Sequence, residues 1–265
     1  LKIGVPDGEK VLAAIDSLTA SNAQGFVICT PDTRLGPAIV AKAKAGNLRV
    51  MAVDDQFIGA DGKPMANVPY LGISARQIGT DVGTALLAES KKRGWSAADT
   101  AVCVMALDEL ATARERTEGA IEVLAAGGFS RENIFRAQMR ASDIPGAFDA
   151  ANALFARERK ARHWLVCGMN DNTVLGAVRA LEGLGVGAED AIAIGIGGSD
   201  CIGELRREKQ TAFFGSILLT PKRHGCETAA AMFKWIKEGV EPPLDTRTSG
   251  VLMTRENFVA LLNEQ

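Results

Sequence analysis

Aromatic and histidine residues are scarce in this sequence. Phe, Trp and Tyr make up 5% of the 265 residues, with a single tyrosine, and there are two histidines. His163 opens an apolar run and His224 falls in a predicted helix, which favours structural or surface roles for both. Few candidates for general acid–base chemistry remain, and this scarcity argues against an enzyme.

An excess of one charge is also lacking. The chain carries 30 Lys and Arg against 32 Asp and Glu, which gives a formal net charge of -2. Such a balance offers no electrostatic surface for nucleic acid, so no nucleic-acid partner is predicted. No apolar run approaches the roughly 20 residues of a membrane-spanning helix. Apolar residues nevertheless reach 47%, enough for a sizeable packed core.

Disulfide and metal patterns are missing as well. The five cysteines are odd in number and no pair has metal-site or redox-motif spacing, which argues against a fully paired disulfide framework. Cys29, Cys103 and Cys167 lie in apolar runs and are predicted to be small buried residues. The chain starts at Leu1 without a basic and apolar leader, which suggests a processed or trimmed polypeptide.

Enzyme motifs fail on inspection. Gly195–Gly198 resembles the start of a dinucleotide fingerprint, but Asp200 occupies the place of the third glycine. Asp54 and Asp55 could imitate an acid–base pair, yet neighbours on a strand point to opposite faces, so one of them is expected to be structural. We therefore predict no catalytic residue, no cofactor and no metal.

Short apolar runs that alternate with helical periods are the dominant pattern. Near-continuous apolar strands of this kind are typical of parallel sheets covered on both faces by helices. Two such series predict an α/β protein with two doubly wound lobes, the first of residues 1–73 with 219–248 and the second of 74–218 with 249–265. The predicted strands are Leu1–Val5, Gly25–Cys29, Arg49–Val53, Val68–Ile73, Ala101–Ala106, Ile134–Gln138, His163–Cys167, Ala191–Ile196 and Ala212–Ile217.

Carboxylates and amides gather where these strands end. In open parallel sheets, ligands bind beyond the carboxyl ends of the strands. Carboxylates accept and amides donate hydrogen bonds, so this rim suits a neutral polyol. Helix capping is the competing explanation for each such residue, and Asp32, Asp171 and Asp200 fit it especially well. Asp7 is likewise predicted to cap the first helix.

Six segments carry a resemblance to a known family: Val5–Lys10, Gly25–Asp32, Val53–Phe57, Ala111–Arg114, Asp143–Asn152 and Gly168–Asp171. At these segments the sequence resembles the periplasmic L-arabinose-binding proteins, and the resemblance runs over essentially the whole chain. It implies a periplasmic sugar receptor of an ABC importer, with the periplasmic binding protein type I fold and a membrane permease as its partner. L-Arabinose is the implied ligand, with D-galactose and D-fucose as alternatives.

The resemblance also implies the site. Asp55 would accept hydrogen bonds from the sugar, and Arg116 and Asn170 would reach it from the other lobe. Thr112 and Met169 would line the cavity, but each could instead have a structural role: Thr112 as a helix cap and Met169 as a core residue. The remaining implied positions line the cavity or depart from the family: Leu110 as lining, Ile73 in place of a methionine, Leu219 in place of a proline, and Gly197 in place of an asparagine.

The family's first strand and helix have no counterpart here. That unit supplies a lysine, a glutamate and aromatic residues to the sugar, so the chain as given is expected to bind sugar weakly. Its absence would also leave strand edges without partners, through which the chain could self-associate. Two other function classes stay open: the effector-sensing core of a sugar-responsive transcription repressor, and a sugar-modifying α/β enzyme. The residues disfavour the enzyme, since no nucleophile–base pairing is evident.

Overall fold

The protein consists of alternating strands and helices that form two compact units. The structure, a computed structural model, describes residues 7–30, 32–158 and 161–264. One unit contains Leu1–Ile73 and Thr220–Thr248, and the other contains Ser74–Leu219 and Ser249–Gln265. Leu219 thus belongs to the second unit, one residue away from the predicted boundary. The predicted strand Leu1–Val5 lies outside the described residues.

The first unit is built on a parallel sheet. Its strands are β1 (Gly25–Ile28), β2 (Arg49–Asp54), β3 (Tyr70–Ile73) and β9 (Thr246–Thr248), hydrogen-bonded in the order β1-β2-β3-β9. Helices α1 (Gly8–Ala20) and α2 (Gly36–Ala45) accompany one face, and α8 (Pro221–Glu238) packs on the other.

Alternation along β2 explains how both faces of this sheet are covered. Val50 and Ala52 join one apolar cluster with Ile15 and Ile39, whereas Met51 joins another with Met232 of α8. Side chains alternate between the faces of a strand, so a mostly apolar run can serve two cores.

The second unit is larger and has six strands. These are β4 (Thr100–Ala106), β5 (Ile134–Gln138), β6 (His163–Gly168), β7 (Ala191–Gly197), β8 (Phe213–Leu218) and β10 (Val251–Thr254), in the order β10-β8-β7-β6-β4-β5. Its helices are α3 (Ala75–Lys92), α4 (Ala111–Ala126), α5 (Ile144–Arg157), α6 (Asp171–Gly183), α7 (Ile202–Leu205) and α9 (Phe258–Asn263). Helices α3 and α4 pack together, as do α5 and α6.

One strand departs from the all-parallel prediction. β10 runs antiparallel to β8, with Val251 opposite Leu218 and Thr254 opposite Gly215. An antiparallel strand at the edge of an otherwise parallel sheet is common in folds of this class. The sequence of this four-residue strand carries no signal for its direction.

Two local predictions are confirmed and one is wrong. Asp7 caps α1, since its Oδ1 accepts hydrogen bonds from the amides of Glu9 and Lys10 at 3.0 and 3.3 Å. Cys103 and Cys167 are buried as expected. Cys29, however, is exposed: β1 ends at Ile28, and the four residues of this strand are themselves only half-buried.

The structure describes all five cysteines, and each is a free thiol. Among the described helices, none is long and apolar enough to cross a membrane.

Candidate ligand-binding site

The predicted site residues divide between the two units. All of them lie at the carboxyl end of a parallel strand or in the first turns of the helix that follows, where open α/β sheets bind ligands. The first unit contains Asp55 and Ile73, and the second contains Leu110, Thr112, Arg116, Met169, Asn170 and Gly197.

Asp55 follows β2 in a tight turn. Its amide donates to the carbonyl oxygen of Val53 at 2.9 Å, and Asp54 between them has a φ of 66°. Asp55 is half-buried, whereas Asp54 is exposed and its carboxylate meets the ring of His224. The carboxylate of Asp54 therefore has a structural contact with His224, as expected for one member of this pair.

The carboxylates of this turn also affect a neighbouring thiol. Partial burial, and then the negative charges of Asp54 and Asp55, raise the pKa of Cys29 to about 11. The turn is thus a locally negative region, which favours a ligand that donates hydrogen bonds. Ile73, at the end of β3, adds a half-buried apolar side chain.

Arg116 lies on α4 and contacts another predicted site residue. Its Nη1 donates to the carbonyl oxygen of Met169 at 2.5 Å. Helix α4 approaches α3 closely through glycines: a Cβ on Gly79 would lie 1.9 Å from the carbonyl oxygen of Arg116, and one on Gly119 would lie 2.4 Å from that of Arg76. The two glycines therefore permit the close contact between α3 and α4, and this contact sets the position of the Arg116 backbone.

Asn170, and not Asp171, is the N-cap of α6. The side chain oxygen of Asn170 accepts from the amide of Thr173 at 2.9 Å, and the Thr173 hydroxyl completes the capping box. The Nδ2 of Asn170 donates to the carbonyl oxygen of Ser142 at 3.5 Å. The helix cap uses the side-chain oxygen of Asn170. Its side-chain nitrogen therefore remains the group with which Asn170 can donate a hydrogen bond.

Asp171 is a buried carboxylate and does not cap the helix, contrary to the prediction. It accepts from the amide of Gly198 at 2.8 Å and from the hydroxyl of Ser216 at 2.6 Å. Burial raises the pKa of Asp171, although these two hydrogen bonds act in the opposite direction. The contact holds the Gly197–Gly198 loop at the end of β7, where the two glycines have φ values of 127° and 90°.

The other capping predictions divide. Asp32 caps the short turn Thr33–Leu35 and accepts from the amide of Arg34 at 3.2 Å, as predicted. Asp200 is not a cap: it accepts from Nδ2 of Asn172 at 3.0 Å, and Cys201 is the N-cap of α7.

Leu110 and Thr112 begin α4. Leu110 is the N-cap residue and is 50% exposed, so its side chain is available to line a cavity. Thr112 is the second residue of the helix, which removes the capping explanation for it. Met169 is half-buried beside Asn170 instead of filling the core. Within the described ranges, no group of three or more His, Cys, Asp or Glu could hold a metal ion.

A known protein family matches almost the whole chain. The family described as periplasmic binding proteins and sugar binding domain of LacI family matches residues 1–258. This chain belongs to that family. Membership in the periplasmic binding protein family confirms the predicted fold class of two doubly wound parallel-sheet lobes.

Two relatives of this family member share about half of its sequence. The L-arabinose-binding periplasmic protein of Escherichia coli (strain K12) is 50% identical over 97% of this chain and 79% of the relative. The ABC transporter L-arabinose-binding periplasmic protein of Azospirillum brasilense is 47% identical over 100% of this chain and 79% of the relative. Both relatives are solute-binding receptors.

Solved structures of other periplasmic binding proteins share the fold at low sequence identity. A periplasmic ribose ABC transporter protein of Conexibacter woesei superposes with a TM-score of 0.80 at 16% identity, covering 97% of this chain and 82% of that one. The binding protein of the arabinose ABC transporter from Shewanella sp. ANA-3, bound to L-arabinofuranose, gives a TM-score of 0.75 at 15% identity, covering 97% and 82%.

Proposed function

We propose that this protein is a periplasmic receptor that binds L-arabinose and delivers it to the membrane permease of an ABC importer. The 50% identity to the L-arabinose-binding periplasmic protein of Escherichia coli, over 97% of the chain, carries this proposal. The periplasmic location and the permease partner rest on the same relationship.

The site chemistry supports a monosaccharide. Asp55 brings a carboxylate acceptor, whereas Arg116 and Asn170 bring donors, and sugar hydroxyls can satisfy both kinds of group. Thr112 adds a hydroxyl, and Leu110 and Met169 add apolar surface for the faces of a sugar ring.

Sugar specificity is assigned to two apolar positions. Ile73 and Leu219 are half-buried and stand where the family has a methionine and a proline. Gly197 has no side chain, so it provides no amide to the ligand. L-Arabinose is the proposed ligand. D-Galactose and D-fucose carry one more carbon on the ring, and Ile73 and Leu219 are the positions proposed to distinguish them from L-arabinose.

A repressor core is the second candidate, because the family description includes the sugar-binding domain of LacI-type regulators. The two curated relatives, at 50% and 47% identity, are transport receptors and favour the first candidate.

Titration calorimetry of the purified protein with L-arabinose, D-galactose, D-fucose and D-glucose tests the proposal. We expect saturable binding that is tightest for L-arabinose, and recovery of the sugar unchanged. Replacing Asp55 with Ala should weaken binding by about 1.5–3 kcal/mol, the scale of a hydrogen bond to a charged group. Asp16→Ala, at an exposed carboxylate of the same unit, is the matched control. Absence of binding to every sugar, or an Asp55→Ala variant that binds as tightly as the parent, would reject it.

We also propose that the protein self-associates through the edge of β1. In the described part of the chain, β1 pairs with β2 alone, which leaves its other edge without a strand. Unpaired edges of this kind accept strands from other chains. Light scattering should show dimers whose share rises with protein concentration; a strict monomer at high protein concentration would contradict this part of the proposal.

A further inference from the structure

The turn that carries Asp55 has an unusual backbone conformation. Asp54 has a φ of 66°, and the other non-glycine residues with positive φ in the described chain are two asparagines, Asn22 and Asn47, which tolerate this region better. The bond from the amide of Asp55 to the carbonyl of Val53 closes a γ-turn around Asp54. A γ-turn with positive φ is rare and strained, so neighbouring groups must hold it.

Tyr70 holds the main chain of this turn. Its hydroxyl donates to the carbonyl oxygen of Asp54 at 2.8 Å, and the residue is 3% exposed. Gly72 makes room for the ring, because a Cβ there would lie 1.8 Å from the Tyr70 hydroxyl. The guanidinium of Arg247 stacks over the same ring at 5.5 Å from its centroid. The single tyrosine of the sequence is therefore fixed on both sides.

His224 holds the side chain of the turn. Its Nδ1 lies 3.3 Å from Oδ1 of Asp54, and because a carboxylate only accepts, Nδ1 carries the proton in this contact. The other ring nitrogen, Nε2, lies 2.6 Å from the hydroxyl of Thr248. His224 is 4% exposed, so the ring is enclosed between these partners.

The same contacts reach two places where the chain leaves the first unit. The two segments of the first unit end at Ile73 and at Thr248. The hydroxyl of Thr248 lies 3.3 Å from the carbonyl oxygen of Gly72, the residue before Ile73. The strained turn, β3 and β9 are thus joined by one group of hydrogen bonds.

From this geometry we infer that Tyr70 and His224 are positioning residues, which hold the Asp54 turn in its strained form and so fix Asp55 for the sugar. The inference rests on the proposed function, in which Asp55 accepts hydrogen bonds from the ligand. Neither side chain touches the sugar in this scheme. Each acts through the turn, and without them Asp54 relaxes to negative φ and Asp55 changes direction.

Single-atom and near-isosteric variants test this role. Tyr70→Phe removes the hydroxyl alone and should weaken L-arabinose binding roughly tenfold, the scale of one hydrogen bond. Ser90→Ala, which removes a buried hydroxyl from α3 in the other unit, is the matched control and should leave the dissociation constant within about twofold. A Tyr70→Phe variant with a lowered melting temperature but unchanged affinity would overturn the inference.

His224 offers a pair of variants that separates its two contacts. The side-chain amide of His224→Asn retains a donor near the position of Nδ1, toward Asp54, whereas the amide of His224→Gln reaches the position of Nε2, toward Thr248. We expect His224→Asn to keep more of the affinity than His224→Gln. The reverse order would remove His224 from the positioning role.

A double-mutant cycle identifies the route of the effect. In an Asp55→Ala background, Tyr70→Phe should change sugar affinity by less than about twofold, because residues that act through one group are not additive. An undiminished tenfold loss in that background would show that Tyr70 acts elsewhere, and would overturn the inference while the proposed function stands.

Hydrogen exchange of the Asp55 amide supplies a readout that needs no sugar. In the Tyr70→Phe, His224→Ala double variant this amide should exchange at least about tenfold faster, because the bond to Val53 opens with the turn. Unchanged protection would overturn the inference. If the parent protein binds no sugar, the proposed function fails on that titration alone, and the exchange rate still decides whether these residues hold the turn.

Discussion

The carboxylate of Asp171 accepts a hydrogen bond from the main-chain amide of Gly198 at 2.8 Å. This bond connects the start of α6 to the loop after β7, two elements that both border the candidate site. The Ser216 hydroxyl donates to the other carboxylate oxygen at 2.6 Å, so β8 joins the same arrangement. One buried carboxylate thus connects the start of α6, the loop after β7 and strand β8 of the second unit.

Removal of this carboxylate should be costly. Asp171→Ala leaves the Gly198 amide and the Ser216 hydroxyl buried without their acceptor, and we expect a loss of about 3 kcal/mol in unfolding free energy. Asp171→Asn, which retains one acceptor, should lose less. Urea unfolding measures both, with Asp149→Ala on the exposed face of α5 as the control. Equal stability of Asp171→Ala and Asp149→Ala would contradict this account.

The close approach of α3 and α4 gives a second prediction. A Cβ on Gly79 would lie 1.9 Å from the carbonyl oxygen of Arg116, which is rigid main chain. Gly79→Ala should therefore destabilise the protein by about 2–3 kcal/mol through overpacking.

Gly183 provides the contrast. It ends α6, and among the described residues nothing lies within 4 Å of the position that a Cβ would take there. Gly183→Ala should therefore stabilise the protein by up to about 0.5–1 kcal/mol. Thermal unfolding separates the two variants. If they shift the melting temperature in the same direction, the packing argument is wrong.

Glu204 should contribute stability that depends on pH. Burial raises its pKa, but hydrogen bonds from Arg179 and Thr211 and the charges of Arg179 and Arg207 outweigh burial and hold the pKa below the usual 4.5. The folded state then binds the proton less readily than the unfolded state. The Glu204 carboxylate therefore stabilises the folded state above the usual pKa, and this stabilisation is lost as the pH falls through the lowered pKa of the folded state.

Urea unfolding across this pH range checks the sign. The free energy of unfolding of the parent should fall between about pH 5 and about pH 3 more steeply than that of Glu204→Gln, which has no carboxylate to protonate. Glu256→Gln, an exposed change near the C-terminal end, should follow the parent. A Glu204→Gln profile as steep as the parent's would refute the assignment.

Thiol reactivity should separate the two exposed cysteines. Thiolates are the reactive form, and a pKa of about 11 leaves little thiolate on Cys29 near neutral pH. We expect an aromatic disulfide reagent at about pH 8 to label Cys226 rapidly and Cys29 slowly, with Cys103, Cys167 and Cys201 protected by burial. Cys226→Ser should abolish the rapid phase, and a rapid phase that survives this change would contradict the raised pKa that partial burial and the charges of Asp54 and Asp55 give Cys29.

Much of the fold followed from local sequence. Runs such as Ala101–Ala106 and Ile134–Gln138 appear as strands close to their predicted bounds, because β-branched and apolar residues suit buried strands. Asp7 and Asp32 cap as predicted, since a cap needs only the next few amides. The site residues came from resemblance at matching positions, and their places at strand ends follow from the βα alternation.

Other features depended on tertiary contacts. The direction of β10, the burial of Asp171 and the strained φ of Asp54 have no local signal, because each is stabilised by partners distant in sequence. His224 was expected in a helix with a structural or surface role, but its partner Asp54 lies 170 positions away and only folding brings the two together. Sequence alone determined which residues form strands, helices and caps, since those depend on neighbours in the chain. Tertiary structure decided which side chains hold the site, since that depends on contacts formed only when the sheet is assembled.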